Sequence, residues 1–322
     1  MTEIKLDIQP NVLLRDYTTM KVGGKADELV VAHSTVELVQ AISYALEHKL
    51  PYFILGGGSN VIISDRGFRG LVIKNEAREV LIDEQHSIVQ ADSGVPSGKV
   101  ASMAASAGLS GAEYLFGIPG SIGGAVYGNA GLRGHETKDI VKDVVMMLVK
   151  DDGKPVIVKK SREWFEYQYR DSLLKQMSRN GDNNQRPVIL TVRLQLYPAR
   201  QEVIMERTRE FLGHRRGGTI AGTDQQHAWQ PTGLRCAGCI FRNPDPTDPE
   251  RAAGKLLDMA GVKRMTVGGA AVAKEHANYI YNKNNATAQD LFTLIQQARA
   301  KVKAQADVDL ALEVELVGEF DE

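Results

Sequence analysis

Two glycine-rich segments limit the folds that this chain can adopt. Three consecutive glycines at 56–58 follow the apolar run YFIL at 52–55, and six glycines lie among the fifteen residues of 117–131. Bare backbone lets a second chain segment or a ligand approach closely, and consecutive amide groups can surround an anion. The alternatives are a tight turn with positive φ for the first segment and a buried crossing between packed layers for the second. Two such segments in one chain favour a ligand site for both.

The first glycine segment does not fit the common nucleotide-binding motifs. The chain has no G-x-x-x-x-G-K-[ST] sequence, and no G-x-G-x-x-G spacing opens a helix after this strand. A phosphate-loop kinase and an ordinary dinucleotide-binding dehydrogenase are therefore disfavoured.

Length and charge narrow the class of protein further. At about 150 residues per domain, 322 residues predict two domains. The 39 basic residues are balanced by 40 acidic ones. The resulting net charge of −1 provides no electrostatic field that would hold a nucleic acid or an anionic membrane surface. Residues 1–10 lack the apolar core of a signal peptide, and no stretch reaches the roughly 20 apolar residues of a membrane span. We expect a cytoplasmic protein with no nucleic-acid, membrane or obligatory protein partner.

Strand and helix signals alternate along the first part of the chain, which predicts a β-α-β start with the first glycine loop at the carboxyl end of a strand. A composition shift near residue 198 predicts the main domain boundary, and the polar run at 176–186 predicts an exposed loop. Residues 217–234 are predicted to be irregular. Other predicted elements include strands at 28–32, 52–55, 188–196 and 310–317, and helices at 34–48, 200–216, 252–260 and 287–304.

Six separated segments carry a resemblance to a known family. They are LGGGSNVIISDRGFRGLVI, GIPGSIGGAVYGNAG, YRDS, CAGCIFRNP, AGKLLDMAG and HANYIYN. Their order and spacing resemble those of the UDP-N-acetylenolpyruvoylglucosamine reductases, the MurB family, from about residue 16 to residue 318. The resemblance implies an FAD-binding fold of the vanillyl-alcohol-oxidase (PCMH) type. That fold would have two subdomains at 16–197, after an N-terminal extension at 1–15 and before an α+β substrate-binding domain at 198–322.

The resemblance also implies the cofactors and the reaction. NADPH would reduce FAD, which would then deliver hydride to the enolpyruvyl ether of a UDP-sugar. The residues implied to bind FAD are those of the two glycine segments: Gly56, Gly57, Gly58, Ser59, Asn60, Gly117, Ile118, Gly120, Ser121, Ile122 and Gly123.

Three residues match the catalytic positions of the family: Arg170, Cys239 and Glu313. Arg170 would hold the substrate carboxylate through its planar guanidinium. Cys239 would donate a proton where many family members have a serine, and a thiol with a reference pKa near 8.5 is the stronger acid. Glu313 is preferred over Glu315, which lies two residues on and shares the same face of the predicted final strand.

Four further residues are implied to bind the substrate: Tyr169, Asn243, Lys255 and His276. Two of them have simpler alternatives, because an Asn-Pro pair commonly forms a turn and a histidine at this kind of position is often a satisfied core residue.

Other functions remain as alternatives at this level. The Cys236-x-x-Cys239 spacing is found in zinc sites and redox dithiols, but two further metal ligands and a strand-to-helix context are missing, so no metal is predicted. An FAD-dependent oxidase acting on a sugar or alcohol is the main rival, and an inactive flavin- or sugar-nucleotide-binding module is the second.

Overall fold

The computed structural model describes residues 6–150, 153–180, 186–215, 231 and 233–321. The described chain falls into two compact units. Unit 1 contains residues 6–11, 27–57 and the described part of 70–212, and unit 2 contains 12–26, 58–69 and the described part of 213–321. The predicted domain limits at 15/16 and 197/198 stay a prediction, because these units are assembled from discontinuous pieces of chain.

The strands and helices are as follows in chain order. The strands are β1 (Ile8–Leu13), β2 (Lys25–Ala32), β3 (Tyr52–Leu55), β4 (Val61–Ile63), β5 (Phe68–Asn75), β6 (Val80–Asp83), β7 (Ile88–Asp92), β8 (Leu109–Ser110), β9 (Gly131–Leu132), β10 (His135–Glu136), β11 (Val141–Val149), β12 (Pro155–Ser161), β13 (Val188–Gln195), β14 (Tyr197–Pro198), β15 (Cys236–Cys239), β16 (Thr266–Val267), β17 (Ala270–Val272), β18 (Tyr279–Asn282) and β19 (Glu315–Val317). The helices are α1 (Thr35–Glu47), α2 (Ser97–Ser106), α3 (Ile122–Gly128), α4 (Leu173–Asn180), α5 (Gln201–Arg215), α6 (Ala253–Met259) and α7 (Ala288–Ala306).

Unit 1 is built on two sheets. One is antiparallel, in the order β12-β11-β13-β7-β6, and the other has the order β1-β2-β5-β3 with β3 and β5 parallel. Helix α1 begins where Ser34 Oγ accepts a hydrogen bond from the Glu37 amide at 3.2 Å. Its apolar face, which includes Leu38 and Ile42, is fully buried in a core shared with β13. The β3–β5 pair carries the first glycine segment at its carboxyl end.

Unit 2 is built on a four-stranded antiparallel sheet in the order β15-β18-β17-β16, with β19 pairing in parallel with β4. Helix α7 starts with a capping box, in which Thr287 Oγ1 accepts from the Asp290 amide and Asp290 Oδ2 accepts from the Thr287 amide, each at 3.0 Å. Buried side chains of α6 and α7, including Leu257 and Leu291, pack with Ile280 of the sheet. This packing fixes the sheet that carries the two cysteines.

Two sequence predictions about local structure are wrong. The predicted exposed loop at 176–186 is helical as far as residue 180, where α4 buries Ser178, whose Oγ donates to the Leu174 carbonyl at 3.0 Å. Polar composition hid this turn because a serine that bonds to the preceding turn's carbonyl is compatible with a helix. Residues 181–185 and most of 217–234 lie outside the described residues. The predicted final strand at 310–317 is formed only at 315–317.

A third difference lies inside the second glycine segment, where α3 was not predicted. The helix forms because Ser121 caps it, accepting from the Gly124 amide at 3.3 Å, and it ends at Asn129 in the left-handed conformation.

Within the described ranges, no helix combines the length and the apolar composition that a bilayer span requires.

Candidate active site

The first glycine loop, residues 56–60, makes close backbone contacts in unit 1. A Cβ added to Gly57 would lie 2.6 Å from Gly120 Cα, and one added to Gly56 would lie 2.6 Å from Ser121 Oγ. The two glycine segments therefore touch through bare backbone. These glycines therefore allow the two segments to pack closely. Their lack of side chains also leaves main-chain groups accessible to a ligand.

The end of the same loop is held within unit 2. Gly58 adopts φ +63°, and an added Cβ would overlap the carbonyl oxygen of Tyr17. The Thr19 amide donates to the Gly58 carbonyl at 3.0 Å. Asn60 Nδ2 donates to the Glu313 carbonyl at 3.2 Å, so this predicted FAD ligand already contacts a predicted catalytic segment.

A buried cation lies beside the first glycine loop, and sequence reasoning missed it. Lys74 of β5 is only 9% exposed, and its Nζ donates to the Gly56 carbonyl. Burial lowers the pKa of the Lys74 ammonium, and Arg78 lowers it further, whereas Glu76 raises it. The available signal was a lysine that directly follows the apolar run LVI in a strand. Its position supplies positive charge near backbone that could receive a diphosphate.

The start of the second glycine segment is tightly packed. Gly117 closes a short 3-10 turn, and an added Cβ would lie 2.6 Å from Leu132 Cδ2. The Ile118 amide donates to the Leu115 carbonyl at 3.1 Å, and the Ile118 side chain packs at the edge of the unit 1 core. These contacts fix the entry to the segment.

The middle of that segment is anchored on the strand end at 93–95. The Ile122 amide donates to the Val95 carbonyl at 2.8 Å, and the Gly123 amide donates to the Ser93 carbonyl at 2.9 Å. A Cβ on Gly123 would lie 2.7 Å from Ser93 Cβ, so a side chain is excluded there. Gly120 at φ +103° provides the turn before the helix.

Arg170 is fixed by main-chain acceptors in unit 1. It has φ +55°, and its Nη2 donates to the Gly131 carbonyl at 2.7 Å. Its guanidinium carbon lies 5.2 Å from the centre of the Tyr169 ring, close enough for a cation–π contact. Asn129, which is fully buried, braces the loop by donating from Nδ2 to the Gln168 carbonyl at 2.9 Å. Sequence reasoning did not single out Asn129.

Strand β15 carries both cysteines and is bulged. Cys236 pairs with Tyr281 and Cys239 with Tyr279, so three steps on one strand correspond to two on the other. Gly238 lies in the bulge with φ +77°. The two cysteines are partly buried and are not joined by a disulfide.

Glu313 lies beside β15 through backbone bonds. The Glu313 amide donates to the Ile240 carbonyl at 2.8 Å, directly after Cys239, and Leu312 bridges to Phe241. Glu313 is not on the final strand, as predicted, but in a bend before β19. The prediction that Glu313 and Glu315 share one face of a strand is therefore wrong. The Glu315 amide donates to a different segment, to the Asn60 carbonyl at 3.0 Å.

Asn243 and Lys255 lie at the start of α6. Asn243 Oδ1 accepts from the Ala253 amide at 3.0 Å and so satisfies a helix amide. Lys255 Nζ forms an ion pair with Glu250 at the surface.

His276 packs against the same helix. A Cβ on Gly254 would lie 2.7 Å from His276 Cε1, and Nδ1 accepts from the Asn278 amide at 3.2 Å. Burial lowers the pKa of His276, and Lys263 lowers it further, whereas Asp258 raises it. The ring is therefore favoured in its neutral form.

Asn278 is a second residue that sequence reasoning missed. It is 2% exposed, and its side chain contacts the Phe241 backbone twice: Oδ1 accepts from the amide at 2.9 Å, and Nδ2 donates to the carbonyl at 2.8 Å. The Asn278 carbonyl also accepts from the Ile240 amide at 2.9 Å. This clamp sets the path of the chain between Cys239 and Asn243. An asparagine inside the HANYIYN motif was the only sequence signal.

No metal centre is evident in the part of the chain that the structure describes, since no three His, Cys, Asp or Glu side chains are suitably grouped there.

Models of known protein families match two stretches of this chain. A model of the UDP-N-acetylenolpyruvoylglucosamine reductase C-terminal domain matches residues 230–317, and an FAD-binding domain model matches residues 26–159. The reductase of Acaryochloris marina is 38% identical over 316 residues, covering 98% of this chain and 94% of that protein. The chain belongs to the UDP-N-acetylenolpyruvoylglucosamine reductase family. The reductase of Clostridium botulinum is 34% identical over 312 residues, and the alignment covers 97% of this chain and 93% of the Clostridium protein.

The solved structure of a reductase supports the same family. The enzyme of Thermus caldophilus aligns with a TM-score of 0.74 at 32% identity, covering 98% of this chain and 100% of its own. The family resemblance inferred from the six motifs is therefore confirmed, and so is an α+β fold with an FAD-binding domain. As a member of this reductase family, the chain is an oxidoreductase and a flavoprotein.

Proposed function

We propose that the chain reduces UDP-N-acetyl-3-O-(1-carboxyvinyl)-glucosamine to UDP-N-acetylmuramate, a step of peptidoglycan precursor synthesis, with NADPH as the reductant. The observation that carries the proposal is the pairing of the Glu313 amide with the Ile240 carbonyl at 2.8 Å. It brings a carboxylate-bearing segment next to Cys239 within residues 230–317, the part that the reductase model matches.

The residues of the glycine segments fit FAD. Gly56 and Gly57 have no room for a Cβ, and Gly120 lies against them. Hydroxyl groups at Ser59 and Ser121 and the ammonium of Lys74 add polar and positive groups to this bare backbone. Backbone amides and a cation are the groups that stabilise a diphosphate. We assign the binding of FAD to these segments.

FAD held by these segments would supply the hydride chemistry between NADPH and the terminal alkene carbon of the substrate. Negative charge then develops on the neighbouring carbon and its carboxylate. Arg170 holds that carboxylate. Its own bond to the Gly131 carbonyl fixes the guanidinium plane beforehand, which reduces the reorganisation that charge stabilisation would require.

Cys239 completes the reaction by donating the proton from Sγ to the carbon beside the carboxylate. Thiol acidity suits this role, because a neutral thiol gives up a proton more readily than a serine hydroxyl. Glu313 orients the acid and the developing enolate from the adjacent segment.

The remaining predicted residues bind the UDP-sugar in this proposal. Tyr169 lies beside Arg170, while Asn243, Lys255 and His276 surround the start of α6. A cytoplasmic location is part of the proposal and is supported by two cysteines that are not joined in a disulfide.

Two half-reactions test the proposal. The purified protein is expected to be yellow, to have its flavin bleached by NADPH without substrate, and to form UDP-N-acetylmuramate only when the enolpyruvyl substrate is added. A protein that binds no FAD would contradict the proposal. Steady NADPH oxidation that ignores the enolpyruvyl substrate would also contradict it, and rapid reoxidation by O₂ with a sugar or alcohol as donor would favour the rival oxidase.

A further inference from the structure

The bulge in β15 brings two thiols to one face of the sheet. Residues i and i+3 of a regular strand point to opposite faces. Here Cys236 pairs with Tyr281 and Cys239 with Tyr279, and those two tyrosines, two residues apart on β18, share a face. Burial agrees, because Ala237 and Ile280 belong to the unit 2 core while both cysteines are only partly buried.

The same geometry sets the separation of the two cysteines. Their partners are two residues apart, which corresponds to about 6.6 Å along a strand. A disulfide usually joins residues whose Cα atoms are roughly 4.4–6.8 Å apart. Gly238 adds a second indication, since φ +77° at the third of four residues is the conformation that a type II turn requires, and such a turn brings its ends within about 7 Å.

We propose that Cys236 and Cys239 form a site of reversible oxidation, in which a peroxide converts the two thiols to a disulfide. One thiolate attacks the peroxide, whose O–O bond breaks, giving a sulfenic acid and water. The second thiolate then attacks that sulfur, forming the S–S bond and releasing the second water. Two cysteine protons and two electrons are thus transferred to hydrogen peroxide, and an added dithiol reverses the change.

The functional consequence rests on the proposed role of Cys239. A disulfide leaves no S–H at Cys239, so the oxidised enzyme accepts hydride from NADPH but does not protonate the substrate. Cys236 would then have a role that the reaction itself does not give it: protecting the acid from irreversible oxidation by capturing the sulfenic acid.

Peptide mass measurement tests the site independently of catalysis. Trypsin cleaves after Arg235 and Arg242, so one peptide, 236–242, contains both cysteines. The FAD-loaded protein is treated with hydrogen peroxide, blocked with an alkylating agent and digested. We expect this peptide to lose about 2 Da, to resist alkylation and to revert with dithiothreitol. Product formation should fall and recover in parallel, while reduction of the flavin by NADPH persists.

The matched control is Cys236→Ser. Without peroxide it should turn over like the wild type. With excess peroxide its Cys239 should be oxidised beyond the sulfenic acid to a sulfinic or sulfonic acid, and the activity lost should not return with dithiothreitol. Wild-type peptide that gains oxygen instead of losing about 2 Da, or that stays unmodified, would overturn the proposed site. A peptide that forms the disulfide while product formation is unaffected would retain the site and reject the proposed acid role of Cys239.

Discussion

The glycine segments of unit 1 and strand β15 of unit 2 form candidate binding surfaces in opposite ways. At Gly56, Gly57 and Gly120 the important property is the lack of side chains. The two glycine segments lie so close together there that an added Cβ would clash with the facing segment. At Cys239 the important property is one side-chain atom, whose direction depends on a bulge and on the Asn278 clamp. Adding atoms should therefore disable the first region, and removing atoms should disable the second.

The largest expected effect comes from adding atoms to the first region. Gly57→Val places a branched side chain against Gly120 Cα, which cannot move as a flexible side chain would. Overpacking against backbone is expected to lower the free energy of unfolding by about 3 kcal/mol or more, and the purified protein should lack flavin. Thermal unfolding and the flavin absorbance measure both.

The control for that variant is Gly98→Ala. Gly98 lies in α2, where an added Cβ meets nothing within 4 Å. Alanine should keep the flavin and raise stability by roughly 0.5–1 kcal/mol. A Gly57→Val protein that melts like the wild type and stays yellow would show that backbone proximity is not what this region requires.

Removal of the Arg170 guanidinium tests whether this unit 1 side chain stabilises the substrate carboxylate during the reaction. Arg170→Ala should lower the rate of product formation about 10²–10³-fold, because the developing carboxylate charge loses its partner, while NADPH still reduces the flavin. Arg170→Lys should recover only part of the rate, since lysine lacks the planar fork. Arg162→Ala, at an exposed arginine, is the control and should remain near the wild-type rate. Equal rates in all four proteins would exclude this role.

The Asn278 clamp tests whether β15 depends on buried hydrogen bonds. Asn278→Ala leaves the Phe241 amide and carbonyl without their partner, which should destabilise the protein by about 2–3 kcal/mol. Asn284→Ala, at an exposed residue in the bend after β18, should change stability by less than about 0.5 kcal/mol. Chemical denaturation compares the two variants, and a similar small change in both would contradict the clamp.

The smallest expected effect is a pH dependence from His276. Because its pKa is lowered in the folded state, the unfolded chain binds the proton more readily, and stability should fall as the pH drops below the ordinary value of 6.5. His276→Gln should flatten this part of the stability profile. Melting temperatures at pH 8 and 5.5 provide the measurement, and an unchanged loss on acidification in the variant would exclude His276 as its source.

The sequence predicted the elements whose signals are local. Helix α7 follows from its spacing and its Thr287 cap, and β13 follows from alternating apolar residues. Helix α3 was hidden because glycines usually oppose a helix, and here tertiary contacts at 93–95 and the Ser121 cap stabilise it.

The candidate site was predictable only in part. Glycine-rich loops indicate that two backbone segments lie close together, and the family motifs indicated Arg170, Cys239 and Glu313. The bend that takes Glu313 out of β19 depends on its pairing with Ile240, some 70 residues away, which no local pattern records. Lys74 and Asn278 were missed for the same reason, since each acts on the backbone of a distant segment.

The proposed reaction depends above all on proton donation by Cys239, and separate measurement of the two half-reactions isolates that step. For Cys239→Ala we expect NADPH to reduce the flavin at the wild-type rate and product to form about 10²–10⁴-fold more slowly. Cys239→Ser should retain more activity than the alanine variant, and Cys236→Ala should match the wild type. A Cys239→Ala enzyme that makes product at the wild-type rate, or that loses both half-reactions equally, would rule out Cys239 as the proton donor.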